Sequence, residues 1–284
     1  MNIDASLVRR LIDQQFPQWR RLPIQKVEPG GWDNCTFRLG SDLIVRLPSH
    51  AAYASQVAKE QRWLPQFAAQ LPVAIPMPMA MGQPSDEYPW RWSVYRWIEG
   101  ETAQVARIAN MQAFAVDVAH FLAALQQMET VGGPSPGFHN FYRGGNLRFY
   151  HDETMQAIRT LGDRIDAAKA MAVWEAALHT TWDDLPVWVH GDISSTNLLV
   201  QNGRLSAVID FGCLGIGDPA CDLASAWTFF FGPSRKTFRD HIAADAGTWA
   251  RARGWVIWKV LITKWDVSKR EYARRVFNEV TAGF

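Results

Sequence analysis

The chain has 284 residues, 48% of them hydrophobic, which is more than one small core usually occupies and points to a two-lobed or two-domain architecture. Lys and Arg total 29 against 28 Asp and Glu, a net charge of +1, and so even a balance excludes a nucleic-acid footprint and a polybasic membrane patch. The three cysteines, Cys35, Cys213 and Cys221, make no CxxC pair, which excludes a zinc or disulfide framework and fits reduced cytoplasmic thiols.

The opening segment lacks the apolar run of a signal peptide. Instead Ile3, Leu7, Leu11 and Ile12 recur at helical spacing and predict an amphipathic helix over 4–16. Strands are expected at Ile24–Glu28, Cys35–Leu39 and Leu43–Leu47. The first two are separated by Pro29-Gly30-Gly31-Trp32-Asp33-Asn34, and the last two by the tight turn Gly40-Ser41-Asp42. A helix over about 51–70 follows, with Pro65 placed to break or kink it. Residues 71–84 hold four prolines and read as extended, and Trp92–Trp97 reads as a further strand.

Beyond residue 101 the pattern turns helical. Val105–Gln127 carries a stripe of Phe114, Val118, Phe121, Leu122 and Leu125. Residues 131–149 form a long loop rich in glycine, proline and aromatics, of the kind that often serves as a lid. Helical patterns resume over 153–181 and after about 220. No apolar stretch reaches the roughly 20 residues that span a bilayer. The expected organisation is α+β, with a small antiparallel-sheet lobe over 1–98 and a larger, mainly helical lobe over 99–284.

The chemistry is concentrated in WVHGDISSTNLLVQNGRLSAVIDFG, residues 188–212. An apolar strand, Val187–Val189, delivers His190-Gly191-Asp192 to its end, and a short loop runs to Asn197. A hairpin around Asn202-Gly203, a strong turn dipeptide, then returns Asp210 beside that loop. Phosphoryl transfer needs such a set: one carboxylate to orient a hydroxyl and take its proton, and hard oxygen ligands to hold Mg²⁺ against the phosphates. Asp192 and Asn197 stand at the spacing of the kinase pattern H-R-D-x-x-x-x-N, and Asp210-Phe211-Gly212 is D-F-G.

These motifs, with Gly217-Asp218-Pro219-Ala220-Cys221-Asp222-Leu223-Ala224 behind them, resemble the aminoglycoside phosphotransferase family of small-molecule kinases, in which H-G-D replaces H-R-D. The likeness is specific over 190–224 and looser elsewhere in 20–230. It implies a protein-kinase-like fold with a nucleotide-binding N-terminal lobe and a catalytic, substrate-binding C-terminal lobe. It implies Asp192 as base and Asn197 and Asp210 as Mg²⁺ ligands, with ATP or GTP as cosubstrate. His190 is expected to buttress the loop, Asp222 to hydrogen-bond its backbone, and Asp218 to cap the following helix. By position Arg46 replaces the phosphate-binding Lys, with Glu60 as its partner. Gly30 and Gly31 lie where the phosphate-covering loop belongs, and Arg96–Ile98 where the adenine hinge belongs.

An aminoglycoside, a macrolide, and a metabolite such as choline or homoserine all remain open as acceptors. A non-catalytic nucleotide-binding relative is the alternative class. Residues 101–190 are net acidic and 215–284 net basic, and neither points charge at a defined pocket. A protein kinase is disfavoured, because Asp210 to Asp218 leaves little room for a peptide platform. Trp174 and Trp227 are expected in the core, and Cys213 as an inert small hydrophobe.

Overall fold

The structure, a computed structural model, describes residues 2–28, 30–263 and 270–284. Helix α1 (Ala5–Gln15) starts where Asp4 accepts the Leu7 amide at 2.9 Å, and it buries Leu7, Val8, Leu11 and Ile12. That face packs on Phe37, Leu39, Val45, Leu47, Trp92 and Val94 of a sheet, forming a core of its own. The sheet contains β1 (Ile24–Lys26), β2 (Asn34–Leu39), β3 (Leu43–Pro48), β4 (Pro78–Gly82) and β5 (Trp92–Arg96), in the order β1-β2-β3-β5-β4 with antiparallel pairing throughout. The β2–β3 turn uses Gly40 at φ +63°, a conformation that favours glycine. Of the expected loop before β2, Pro29 lies outside the described residues.

Helix α2 (Ala54–Phe67) links β3 to β4, entered through the short turn Ala51–Tyr53. It is narrower than the expected 51–70. Pro65 lies in its last turn, and the helix ends two residues later. Next come β6 (Glu101–Thr102) and α3 (Met111–Gln126). The sequence pattern places the start of α3 at Val105; the structure places it six residues later. Asn110 caps it, accepting the amides of Gln112 and Ala113, while Ala109 N–H is drawn away to the Gly203 carbonyl.

The helical patterns expected over 153–181 are two helices, α4 (His151–Leu161) and α5 (Ala167–Leu178), separated at Gly162 with φ +49°. Then follow β7 (Val187–Val189), the hairpin β8 (Leu198–Gln201) and β9 (Arg204–Val208), and β10 (Gly215–Gly217). Short helices α6 (Ala220–Leu223) and α7 (Ser225–Thr228) precede α8 (Pro233–Asp240), α9 (Ala246–Ile262) and α10 (Arg270–Thr281). Strand β10 pairs with β7, and β6 with β8. The main core runs from α2 through these helices. It includes Trp174 and Trp227 fully buried, as expected. Among the described residues no helix is long and apolar enough to cross a membrane, and all three cysteines are free thiols.

Candidate active site

Buried Val189 and His190 carry the chain from β7 into the 190–197 loop. Asp222, 1% exposed on α6, accepts the amides of His190 at 2.8 Å and Gly191 at 2.7 Å, so the loop backbone is anchored to the helical core. The His190 ring is itself consumed by the scaffold: Nε2 meets the Ile209 carbonyl at 3.1 Å and Nδ1 accepts the Asp192 amide at 3.2 Å. Gly191 sits at φ +83°, and a Cβ there would come within 2.6 Å of the Cys213 carbonyl.

Asp192 and Asn197 face each other across this loop. Asn197 Nδ2 donates to the Asp192 backbone carbonyl at 2.9 Å and to its Oδ2 at 3.1 Å. Both amide protons are therefore directed inward. The β8–β9 hairpin, with Asn202 and Gly203 both at positive φ, returns the chain so that Ile209 N–H bonds the Asn197 carbonyl at 2.9 Å. Asp210 follows at φ +65°, a left-handed conformation rare for a non-glycine residue and frequent at functional sites.

Arg46 reaches this corner from β3. Its Nη2 meets Asp210 Oδ1 at 2.8 Å and its Nη1 lies 3.5 Å from Glu60 Oε1 on α2. Glu60 also accepts the Tyr95 hydroxyl. Burial lowers the Arg46 pKa, but Asp210 and Glu60 more than reverse this, and the guanidinium stays charged. Sheet, helix α2 and D-F-G turn thus share one ion-pair chain.

Gly30 and Gly31 are exposed, have no positive φ, and a Cβ on either would meet only a backbone oxygen at ordinary contact distance, 3.9 and 3.8 Å. The residue of this loop that reaches the site is Asp33. Burial and the neighbouring Asp210 raise its pKa, and Gln56 donates to it at 3.5 Å. Arg96 ends β5 with its side chain exposed and its amide already bonded to Met77 O at 2.9 Å. Ile98, partly buried, lies on the crossing to β6.

Several side chains at the site escape sequence motifs. Lys59, 8% exposed on α2, donates to the carbonyls of Gly212 at 2.8 Å and His139 at 3.2 Å, tying α2 to the D-F-G turn; burial pushes its pKa down to about 8. Lys259 of α9 contacts Asp192 Oδ1 at 2.7 Å. Burial alone raises the Asp192 carboxyl, but Lys259, with His190 and Arg143, holds it below the ordinary value. Cys213, close by, has its thiol pushed by burial up to about 12, which keeps it unreactive.

The 131–149 loop is ordered by Asn140, which is fully buried. Its Oδ1 accepts the Gly137 amide and its Nδ2 donates to the Arg143 carbonyl, both at 3.0 Å. Tyr150 hydroxyl donates to Phe141 O. Phe141 and Tyr142 adopt positive φ in succession, and the chain emerges with Arg143 beside Gly191. The loop carries two arginines amid its aromatics, Arg143 and Arg148, and nothing in the sequence told them apart or gave their direction.

An antiparallel sheet flanked by α1 and α2, set over a mainly helical region with Asp192, Asn197 and Asp210 gathered at strand ends near the junction, is the two-lobed kinase-like architecture. The model of the phosphotransferase enzyme family (APH) matches residues 25–255, and the chain belongs to that family. No curated protein matches the sequence. Among solved structures, the GDP and kanamycin complex of APH(2")-IIia aligns with TM-score 0.73 at 18% identity, over 98% of this chain and 99% of that chain. The streptomycin-ATP-APH(2")-IIa ternary complex gives 0.60 at 20% identity, over 99% and 96%. The apoenzyme of macrolide 2'-phosphotransferase MphH from Brachybacterium faecium gives 0.62 at 18%, over 97% and 99%. At these identities the likeness establishes the fold.

Proposed function

We propose that this protein transfers the γ-phosphoryl group of ATP or GTP to a hydroxyl of a small molecule. The observation that carries the reading is the meeting of Asp192, Asn197, Asp210 and Arg46 from three separate parts of the chain, the 190–197 loop, the turn after β9 and strand β3. Asp192 is the base: it is kept ionised by its surroundings and orients the attacking hydroxyl while accepting its proton. Arg46, forked between Glu60 and Asp210, presents a fixed positive charge to the nucleotide phosphates. Residues 1–98 form the nucleotide-binding lobe, with the Gly30-Gly31 loop over the phosphates and the Arg96–Ile98 crossing beside the base. Residues 99–284 form the catalytic and acceptor-binding lobe.

The donor set fits Mg²⁺. Asn197 spends its amide protons on Asp192, which leaves its Oδ1 as a hard oxygen acceptor. Asp210 is partly exposed and bonded to Arg46 through Oδ1. Among the described residues no group of three or more His, Cys, Asp or Glu stands together as a metal cage. One or two protein oxygens completed by phosphates and water is the usual Mg²⁺ arrangement. Bound by Asn197 and Asp210, the ion would neutralise charge on the phosphates.

A small acceptor is favoured over a peptide by the chain's course after Asp210. The Phe211–Cys213 turn runs directly into β10, which pairs back on β7, and Asp218 is already buried. Between Asp210 and Asp218 this leaves no free segment on which a peptide could lie. The test is acceptor-dependent nucleoside-diphosphate release with Mg-ATP and Mg-GTP across aminoglycosides, macrolides, choline, homoserine and sugars. Turnover lost in Asp192→Asn supports the assignment; turnover that survives the substitution refutes it.

A further inference from the structure

The acceptor side of Asp192 is faced by cations. Lys259 Nζ contacts Asp192 Oδ1 at 2.7 Å, with its side chain 41% exposed and so open to a ligand. Arg143 packs against the same loop: a Cβ on Gly191 would stand 3.0 Å from Arg143 Cβ. Its guanidinium lies over the Trp258 ring at 4.5 Å and the Trp255 ring at 5.3 Å. Two buried donors here, Arg143 Nη1 and Trp255 Nε1, have no hydrogen-bond partner among the described residues. Buried donors without acceptors are costly, and these two belong to side chains in contact with one another beside Lys259's helix, so an acceptor atom fits there. The carboxylate of Glu153 is held at 2.7 Å by the indole N–H of Trp258.

A polycation would bring further positive charge against Lys259 and Arg143, and would have to break the Lys259–Asp192 pair with nothing to replace it. An anion reverses both terms. It satisfies the orphaned donors and draws Lys259 off the carboxylate that must meet the hydroxyl. The wall beyond is aromatic. Tyr150 and Trp258 are 4.2 Å apart at their centroids, Tyr142 stacks on Phe149 at 3.7 Å, and Phe138 lies 5.6 Å from Tyr142 and is 83% exposed.

Building on the phosphotransferase reading, we infer that the acceptor carries a carboxylate or phosphate near its reacting hydroxyl, held by Lys259 and Arg143, on a body that stacks against aromatic side chains. These two residues set specificity, and the acceptor is not a polycation.

The test is a binding titration by calorimetry, with the intrinsic fluorescence to which Trp255 and Trp258 contribute as a second readout. The probes are matched: glucose, gluconate, glucose 6-phosphate and glucosamine; 4-hydroxyphenylacetate and its alcohol counterpart; and kanamycin. The carboxylate and phosphate arms separate the two anion sources. An anionic probe should bind about tenfold or more tighter than its neutral match, and Lys259→Gln with Arg143→Gln should remove that preference while leaving Mg-nucleotide affinity unchanged. Anions binding no tighter than their neutral matches, or kanamycin binding tightest, would overturn the inference. So would a Lys259→Gln enzyme with lower kcat on every acceptor and unchanged acceptor KM, because Lys259 would then serve the phosphoryl group. The two readings fail separately: anion binding that depends on Lys259 without any Asp192-dependent turnover supports this site and sinks the transfer reaction.

Discussion

Arg46 and Asp210 are 164 positions apart in the chain, and their side chains meet at 2.8 Å. The bond joins the N-terminal sheet to the turn that ends the β8–β9 hairpin, and the same guanidinium neutralises Glu60, which is 4% exposed. Arg46→Met strands that carboxylate beside Tyr95. Loss of one partner from a buried pair costs about 3–5 kcal/mol, so a clear drop in the denaturant midpoint is expected together with weaker nucleotide binding. Arg46→Lys should recover much of the stability and less of the affinity, because an ammonium cannot fork between two carboxylates. Unchanged nucleotide affinity in Arg46→Met would remove Arg46 from the phosphate site.

Asp192→Asn keeps the shape of the loop and discards the proton acceptor. General-base contributions are about 10²–10⁴-fold, and turnover should fall by that order while calorimetric affinity for Mg-nucleotide stays close to wild type.

The Lys259–Asp192 pair predicts a pH signature. Lys259 lowers the Asp192 pKa, so Asp192, the proposed base, remains ionised to well below neutral pH. In Lys259→Gln that help is gone, the Asp192 pKa rises, and protonation disables the base at higher pH. The acid limb of kcat/KM should therefore move upward in the mutant. An acid limb that stays in place would show that Lys259 does not act on this carboxylate.

Lys59 predicts the pH dependence of stability. Its pKa is about 8 in the folded protein against 10.5 as the ordinary value. Between those values the unfolded chain holds a proton that the folded one has released, so this group makes stability rise with pH from about 8 to 10.5. Below about 8 both forms are protonated and the contribution is flat. Denaturation of wild type and Lys59→Met at pH 7.5 and 9.5 should show wild type gaining relative to the mutant at the higher pH.

Asp222→Ala orphans the amides of His190 and Gly191, at about 1–3 kcal/mol for each buried donor left unpaired. The loop should also lose its register, so kcat should fall although Asp222 is remote from the reacting atoms. A variant with reduced thermal stability and full kcat would confine Asp222 to a structural role.

The meeting of Asp192, Asn197 and Asp210 was legible because its logic is local. Asp192 and Asn197 share one loop, and Asn202-Gly203 forces the return that brings Asp210 back. Arg46 and Glu60 were reachable from element order, strand then helix. Lys259 and Arg143 were not, because one sits on a helix 67 residues beyond Asp192 and the other in a loop whose direction depends on the buried Asn140. Hydrophobic periodicity also misjudged where α3 begins, since a stripe of apolar residues does not locate the cap that Asn110 supplies. In the loop before β2, the glycines drew notice, while Asp33 faces the site.

Asn140 does its holding with a side chain that never reaches the surface. The course of residues 137–143 is written in its hydrogen bonds, so the rings of Phe138 and Tyr142 are cargo on a fixed frame. On the proposed reading, recognition and chemistry are thereby separable parts. A designer, or a duplicated gene under selection, can exchange those rings to accept a new substrate without disturbing the machinery that moves phosphate.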